Sequence, residues 1–373
     1  MPVSSAVPAR GRGSRIVLPG QSPEGAYILS VLLKRTFEIQ PGRVCQPAPS
    51  DRPLIPADVF WDAPMNSAVR FETDFIPFKP GTDVVLNGSV HAPGGVPTSS
   101  CSATLSVAGR SRSIAVIGDR NAVFTAGAAP RFTDPVPFST MQLRYERAYG
   151  GTDVYSDPAA ALAYPRNPLG RGFVVKNIAR ALDGLALPNF EDPAALLTPD
   201  QLCLEDYQQW ATRPQPAGFG WVPKTWLPRA QLVGVMPRDR AVEQELRKTY
   251  AQLLPAEQRQ AYLDNGFRDM DFAFFNGASP GFVFPSLANG ETVVIENLAA
   301  EGQLVFRLPQ QTPRLGLDIG SGQELPEVAL HTVMIDLDAW LVDLVWRAAV
   351  PYRGPDWLPK MHKMEVLVAD LET

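Results

Sequence analysis

Cysteine and histidine are almost missing from this chain of 373 residues, which carries three of each. Cys45, Cys101 and Cys203 form an odd set with no CxxC spacing. That excludes a disulfide framework and a zinc knuckle and suits a reducing cytoplasm. HExxH, the acidic spacing of a calcium loop, the GxSxG elbow, a papain-like cysteine setting and GxxxxGK[ST] are all missing, so neither a metal, a cofactor nor a catalytic residue is expected. There is no run of about 18 apolar residues. The basic N-terminus, MPVSSAVPARGRGSRIVLPG, lacks the apolar core of a signal peptide. A dominant charge is lacking too, because 34 Lys and Arg face 39 Asp and Glu. Nucleic acid and membrane are therefore not expected partners, and the protein reads as soluble and cytoplasmic.

What the chain has is proline, 37 of them, with 29 glycines. Proline at about twice its usual share of about 5% pins φ, removes backbone donors and disfavours long helices. With 45% hydrophobic and 20% charged residues the chain has globular composition. The expected fold is α+β but mainly β: antiparallel sheets, sandwich or barrel-like, with long ordered loops and a short helical insertion. The order is a flexible tail over 1–20, a β region over 21–151, a Pro/Gly-rich loop region over 152–237 packed on the sheets, a helical insertion over 238–266 and a β region over 267–373. Residues 21–373 are expected to form one compact unit.

Within this plan Tyr27 to Ile39 reads as a buried strand and Val84 to Val90 as another. Ser102 to Val107 and Ser113 to Ile117 read as a hairpin around Ala108-Gly109, and Val328 to Leu337 with Leu341 to Ala348 as a second. Met141 to Glu146 alternates like a strand. Val242, Leu246, Tyr250, Leu253 and Leu254 recur at helical steps behind Asp239, and Pro255 either ends this helix or opens a second short one through Tyr262 and Leu263, giving a helical hairpin or a kinked helix. Tyr149, Phe173, Phe190, Trp210, Phe219, Trp221 and Trp226 are available to pack the irregular region.

Three patterns bear on catalysis. Leu317-Asp-Ile-Gly-Ser-Gly322 has the form of a methyltransferase cofactor loop, but a strand-like run follows where a helix should, so a glycine turn is expected. Asp336 and Asp338 read as a solvated turn. His91, in a polar turn, is the one histidine with a loop-exposed setting; with Asp83 or Asp119 it would make the site of a hydrolase-like or carbohydrate-active enzyme in a loop-lined cleft.

The irregular segments themselves carry a resemblance. Asp74-Phe-Ile-Pro-Phe-Lys-Pro-Gly-Thr-Asp83, Val84-Val-Leu-Asn-Gly-Ser-Val-His-Ala-Pro-Gly-Gly95, Ile117-Gly-Asp-Arg120, Tyr145-Glu-Arg-Ala-Tyr-Gly-Gly151, Asn167-Pro-Leu-Gly-Arg-Gly-Phe173 and Leu187-Pro-Asn-Phe190 come in series. Pro216-Ala-Gly-Phe-Gly220, Trp226-Leu-Pro-Arg229, Asp271-Phe-Ala-Phe-Phe-Asn276 and Val345-Trp-Arg347 continue it. Over roughly residues 25–350 this resembles the domain-of-unknown-function family that accompanies bacterial type VI secretion loci. The resemblance implies a non-enzymatic adaptor or chaperone that binds a secreted effector and helps load it on the VgrG spike or PAAR tip. Two stretches depart from the family pattern, Leu232 to Pro237 and Gly277 to Phe284. Binding residues commonly sit on loops held by a rigid scaffold, with aromatic and Arg anchors. The partner-binding candidates are Phe75, Phe78, Lys79, His91, Arg120, Arg147, Tyr149, Arg171 and Phe173.

Overall fold

The computed structural model describes residues 13–351 except 65, 158, 204–211, 265–267, 311, 319–322 and 325, together with the strand Glu365–Ala369. Its axis is the strand Tyr27–Glu38, buried from Ile28 to Phe37. Both edges of that strand are paired, one by Ser14–Gln21 and the other by Leu341–Pro351, in antiparallel registers running from Ser14↔Lys34 to Gln21↔Tyr27 and from Ile28↔Pro351 to Glu38↔Leu341. Burial on both faces explains the near-continuous apolar run. The polar positions inside it are all engaged: Lys34 Nζ meets Asp74 at 2.9 Å, Arg35 Nε meets Asp51 at 3.2 Å and the Thr36 hydroxyl meets Asp343 at 2.7 Å.

Beyond Leu341–Pro351 the same sheet continues through Val328–Asp336, Thr82–Asn87 and Val283–Phe284, with Gln46–Pro47 beside the axial strand. All pairings are antiparallel save that of Val328–Asp336 with Thr82–Asn87, which is parallel. A second sheet of five antiparallel strands runs Phe190–Glu191, Arg110–Ile117, Ser100–Val107, Thr292–Glu296 and Gln303–Arg307. One apolar core takes Leu33, Leu86, Leu344 and Trp346 from the first sheet and Leu105, Ile114, Ile295 and Phe306 from the second. The fold is thus mainly β, with no closed barrel among the described residues.

Both expected hairpins form. In the first, Val107 faces Arg110 across Ala108 (φ 49°) and Gly109 (φ 75°), the two positive φ values that a two-residue turn compatible with strand twist requires. Several segments differ from the sequence reading. Ser14–Gln21, which up to Gly20 reads as flexible tail, is an edge strand. The Val84 to Val90 run breaks at Gly88 into Thr82–Asn87 and Ser89–His91, and Met141 to Glu146 keeps only the short strand Thr140–Gln142 before a 3-10 turn at Tyr145–Arg147. Asp336 is not solvated: it is buried against Arg52 at 2.9 Å, while Asp338 is exposed. The Leu317 to Gly322 motif leaves a strand, Arg314–Asp318, that pairs with Gln323–Glu324; the residues between lie outside the described set.

The 152–237 region is organised by two separate burials. Tyr149, Tyr164, Phe173, Leu182, Leu187 and Leu202 build a small core of their own, whereas Phe219, Trp221 and Trp226 join the main one. Trp210 lies outside the described residues. The helices Arg240–Ala251 and Ala256–Asp264 follow, joined where Arg247 lies 4.8 Å from the Tyr262 ring. Asp239 stands at the first helix's N-cap but makes no side-chain capping bond. Among the described residues no helix is long and apolar enough to cross a membrane.

Candidate functional site

Of the partner-binding candidates, Tyr149 and Phe173 are core residues, edge-on and tilted against Tyr164 at 5.1 and 5.3 Å. Lys79 is also buried, its ammonium 2.7 Å from Asp83 and 3.1 Å from the Thr332 hydroxyl. These three offer no surface to a partner, because an aromatic or lysine stem beside a glycine-rich loop is drawn under it when the loop packs. Phe75 is half-buried and, like Ile16 and Leu18, packs against the small cluster of Leu32, Leu54 and Val345. Phe78 is half-buried between Phe272 and the Arg347 guanidinium, which sits 4.6 Å from its ring.

Arg147 and Arg171 do come together. The parallel bridge of Tyr149–Gly150 with Arg171–Gly172 brings both to Asp119, at 3.4 and 3.2 Å, and to Asn189, at 3.2 and 3.1 Å. Burial alone would raise the Asp119 pKa; the hydrogen bond from Asn189 and the two guanidinium groups outweigh it and hold the carboxyl below its usual range. Arg120 is turned away onto buried Glu191, with the Phe132 ring 5.1 Å from its guanidinium. The cluster leaves Arg147 and Arg171 about one-third exposed, a small cationic surface already compensated by Asp119.

His91 is not joined to either expected carboxylate. Asp83 is fully buried and accepts from Lys79, Asn276 and the Gly277 and Ala278 amides, and Asp119 is held by the arginines. Instead His91 lines a cleft of about 330 Å³ with Glu301, Asp338, Trp340 and Thr140. Although Asp338 is exposed, partial desolvation of its carboxyl and the neighbouring Asp336 raise its pKa. These acids lie far from His91 in sequence, and only the adjacent strand ends bring them near.

A second, more apolar cavity lies elsewhere. A cavity of about 320 Å³ is lined by Tyr145, Pro216, Trp226, Leu227, Pro228, Leu232, Ala273, Asn276 and Ala278, with Arg166 and Arg229 at its wall. Behind it runs a buried charge network. Glu72 accepts from Arg229 at 2.8 Å and pairs with Lys224 at 2.7 Å. Its burial would raise the pKa, but Arg229, Lys224 and Lys79 bring it below the ordinary value. Gly277 is required there: a Cβ would stand 2.2 Å from Glu72 Oε2 and 2.8 Å from the Trp221 ring.

Residues 24–347 match the model of DUF2169, described as an uncharacterized protein conserved in bacteria. The chain belongs to that family. No curated protein matches it. No solved structure matches it either. In this DUF2169 chain the segments that stood out in the sequence are largely architectural: Asn167 is buried and donates to the Tyr145 and Tyr149 carbonyls at 2.8 and 3.1 Å. The cavity was missed because no short motif spells it. Its one sequence signal was that Tyr145, Pro216, Trp226, Arg229, Ala273 and Asn276 each fall inside a singled-out segment.

Proposed function

We propose that the chain is a cytoplasmic, non-enzymatic adaptor or chaperone of type VI secretion, which binds a toxic effector and helps load it on the VgrG spike or PAAR tip. The motif series across residues 25–350 supports this reading. The observation that carries the binding role is the helix Arg240–Ala251 and its end: Val242, Leu246, Tyr250 and Leu253 recur along one stripe and are 62%, 52%, 56% and 78% exposed. Contiguous exposed apolar surface marks interaction sites, and a helix of this length is marginal in water unless its apolar face is covered. The effector is the occupant assigned to that stripe.

Co-expression with the effector encoded beside it and with the spike proteins, followed by affinity purification and size-exclusion chromatography, tests the proposal. A stoichiometric complex is expected, lost in the double variant Leu246→Glu, Tyr250→Glu, whose thermal midpoint stays within a few degrees because exposed substitutions cost about 0.5 kcal/mol or less. No association with any of these proteins overturns it.

A second reading rests on the His91 cleft, where Asp338 with its raised pKa and Glu301 lie beside the histidine. It makes the chain a hydrolase-like or carbohydrate-active enzyme. His91→Ala should then abolish an activity and leave folding intact; a variant that keeps every measured function removes this reading.

A further inference from the structure

Arg147 and Arg171 meet at one point of the surface, held there by backbone. The Asn189 amide donates to the Arg147 carbonyl at 2.7 Å, the Arg171 amide to the Ala148 carbonyl at 2.9 Å and the Ile117 amide to the Asn189 carbonyl at 2.8 Å. The buried Asn189 side chain closes the joint, its Nδ2 donating to the Ile117 carbonyl at 2.9 Å and to Asp119 Oδ1 at 3.0 Å. Each guanidinium uses only its Nη1 here, on Asp119 Oδ1 and Asn189 Oδ1. The Nε and Nη2 groups of both make no hydrogen bond among the described residues. They are not shut away from water as the Nε of neighbouring Arg120 is, and the two side chains are 30% and 32% exposed.

The charges of the cluster do not balance. One carboxylate, Asp119, serves two guanidinium groups, while Arg120 is paired with Glu191 and Arg144 with Asp62 and Glu146. Burial and the charge of Arg171 lower the Arg147 pKa, as expected of two cations held close. One positive charge is therefore left behind two planar forks of accessible donors, an arrangement that matches an oxyanion. Asp119 itself shows that a protein carboxylate fits against both. With a net charge of −5 the chain does not offer the broad basic field that a polyanion needs.

An exposed ion pair is worth little in water and is screened by salt, so a free anion gains little here. A carboxylate carried by a protein that also covers the adjoining surface is held more firmly, because covering excludes the water. That surface includes an apolar anchor: Val136, whose amide donates to the Asp119 main-chain carbonyl at 2.9 Å, is 60% exposed.

We propose that Arg147 and Arg171 are the docking point for an acidic residue of a protein partner, whose carboxylate takes their free Nε and Nη2 groups as the partner covers Val136. On the adaptor reading, on which this assignment rests, the partner is the effector, and the contact is additional to the stripe on the helix Arg240–Ala251.

Biolayer interferometry with the full chain immobilised and the effector encoded beside it in solution reads this contact. The double variant Arg147→Gln, Arg171→Gln should bind at least about tenfold more weakly and lose most of the salt dependence of the wild type. Because the same arginines tie loops together, Asp119→Asn separates docking from folding. Its amide oxygen keeps an acceptor for both guanidinium groups and removes the competing charge, so affinity should rise about threefold or more, whatever the thermal midpoint does. A purely structural cluster gives no such gain. Wild-type binding that survives the double substitution, or no gain in Asp119→Asn, overturns the docking point and leaves the adaptor reading standing. No binding by the wild type overturns that reading and the docking point with it. Calorimetric titration of the chain alone with sodium phosphate should show no saturable binding; saturable binding lost in the double variant overturns the partner assignment in favour of a free oxyanion.

Discussion

His331 shows how much a single residue's setting matters. It is fully enclosed on the strand Val328–Asp336, its Nε2 has no hydrogen-bond partner among the described residues, and burial together with Lys79 and Arg347 drives its pKa well below 6.5. The unfolded chain therefore binds a proton near pH 6.5 that the folded chain refuses, so this group's contribution to stability is present above that pH and is lost as pH falls below it. The loss runs up to about 1.4 kcal/mol per pH unit. Denaturant unfolding between about pH 7.5 and 5 should show that slope, and His331→Leu should flatten it; equal slopes would place the titration elsewhere. Little of this was legible beforehand. Sequence singled out His91 as the exposed histidine, but its partners, like those of His331, come from neighbouring strands. Lys79, Tyr149 and Phe173 make the same point: residue type says what a side chain can do, and burial decides whether it meets solvent.

At the scale of elements, local rules read well wherever they are local. The Ala108-Gly109 turn, the buried run from Tyr27 and the helical recurrence behind Asp239 are all short-range patterns, and each forms in the expected place. The helix shows where such patterns stop being informative. A periodic apolar stripe states that one face differs from the other, not that the protein itself covers it, and here Val242, Leu246, Tyr250 and Leu253 face outward. Some loop glycines carry the opposite lesson, being dictated by contacts with distant segments. Gly150 has φ 147°, and a Cβ there would lie 2.1 Å from the Asn167 carbonyl oxygen. Gly150→Val should therefore cost about 1–3 kcal/mol through overpacking, before any backbone strain is added. Chemical denaturation measures this directly, and a cost under about 0.5 kcal/mol would mean the two loops separate without penalty.

Across the whole molecule the two ends of the chain hold each other. Tyr27–Glu38 pairs with Leu341–Pro351 along its length, and Thr82–Asn87 finds its parallel neighbour in Val328–Asp336. A chain ending at Glu327 loses both late strands, leaves an apolar strand edge open and should show no cooperative unfolding transition by circular dichroism, where the full chain gives one. A cooperative melt from the shortened chain would show that the early strands need no late partner. Mainly β character, the buried run from Tyr27 and the two hairpins were determined by the sequence itself, because alternation, proline and glycine act over a few residues. The edge strand at Ser14–Gln21, the separate core under the 152–237 loops, the outward helix stripe and the cavity at Tyr145 were decided only by tertiary structure. Each depends on which distant segments meet, and burial, unlike backbone preference, is a property of the meeting.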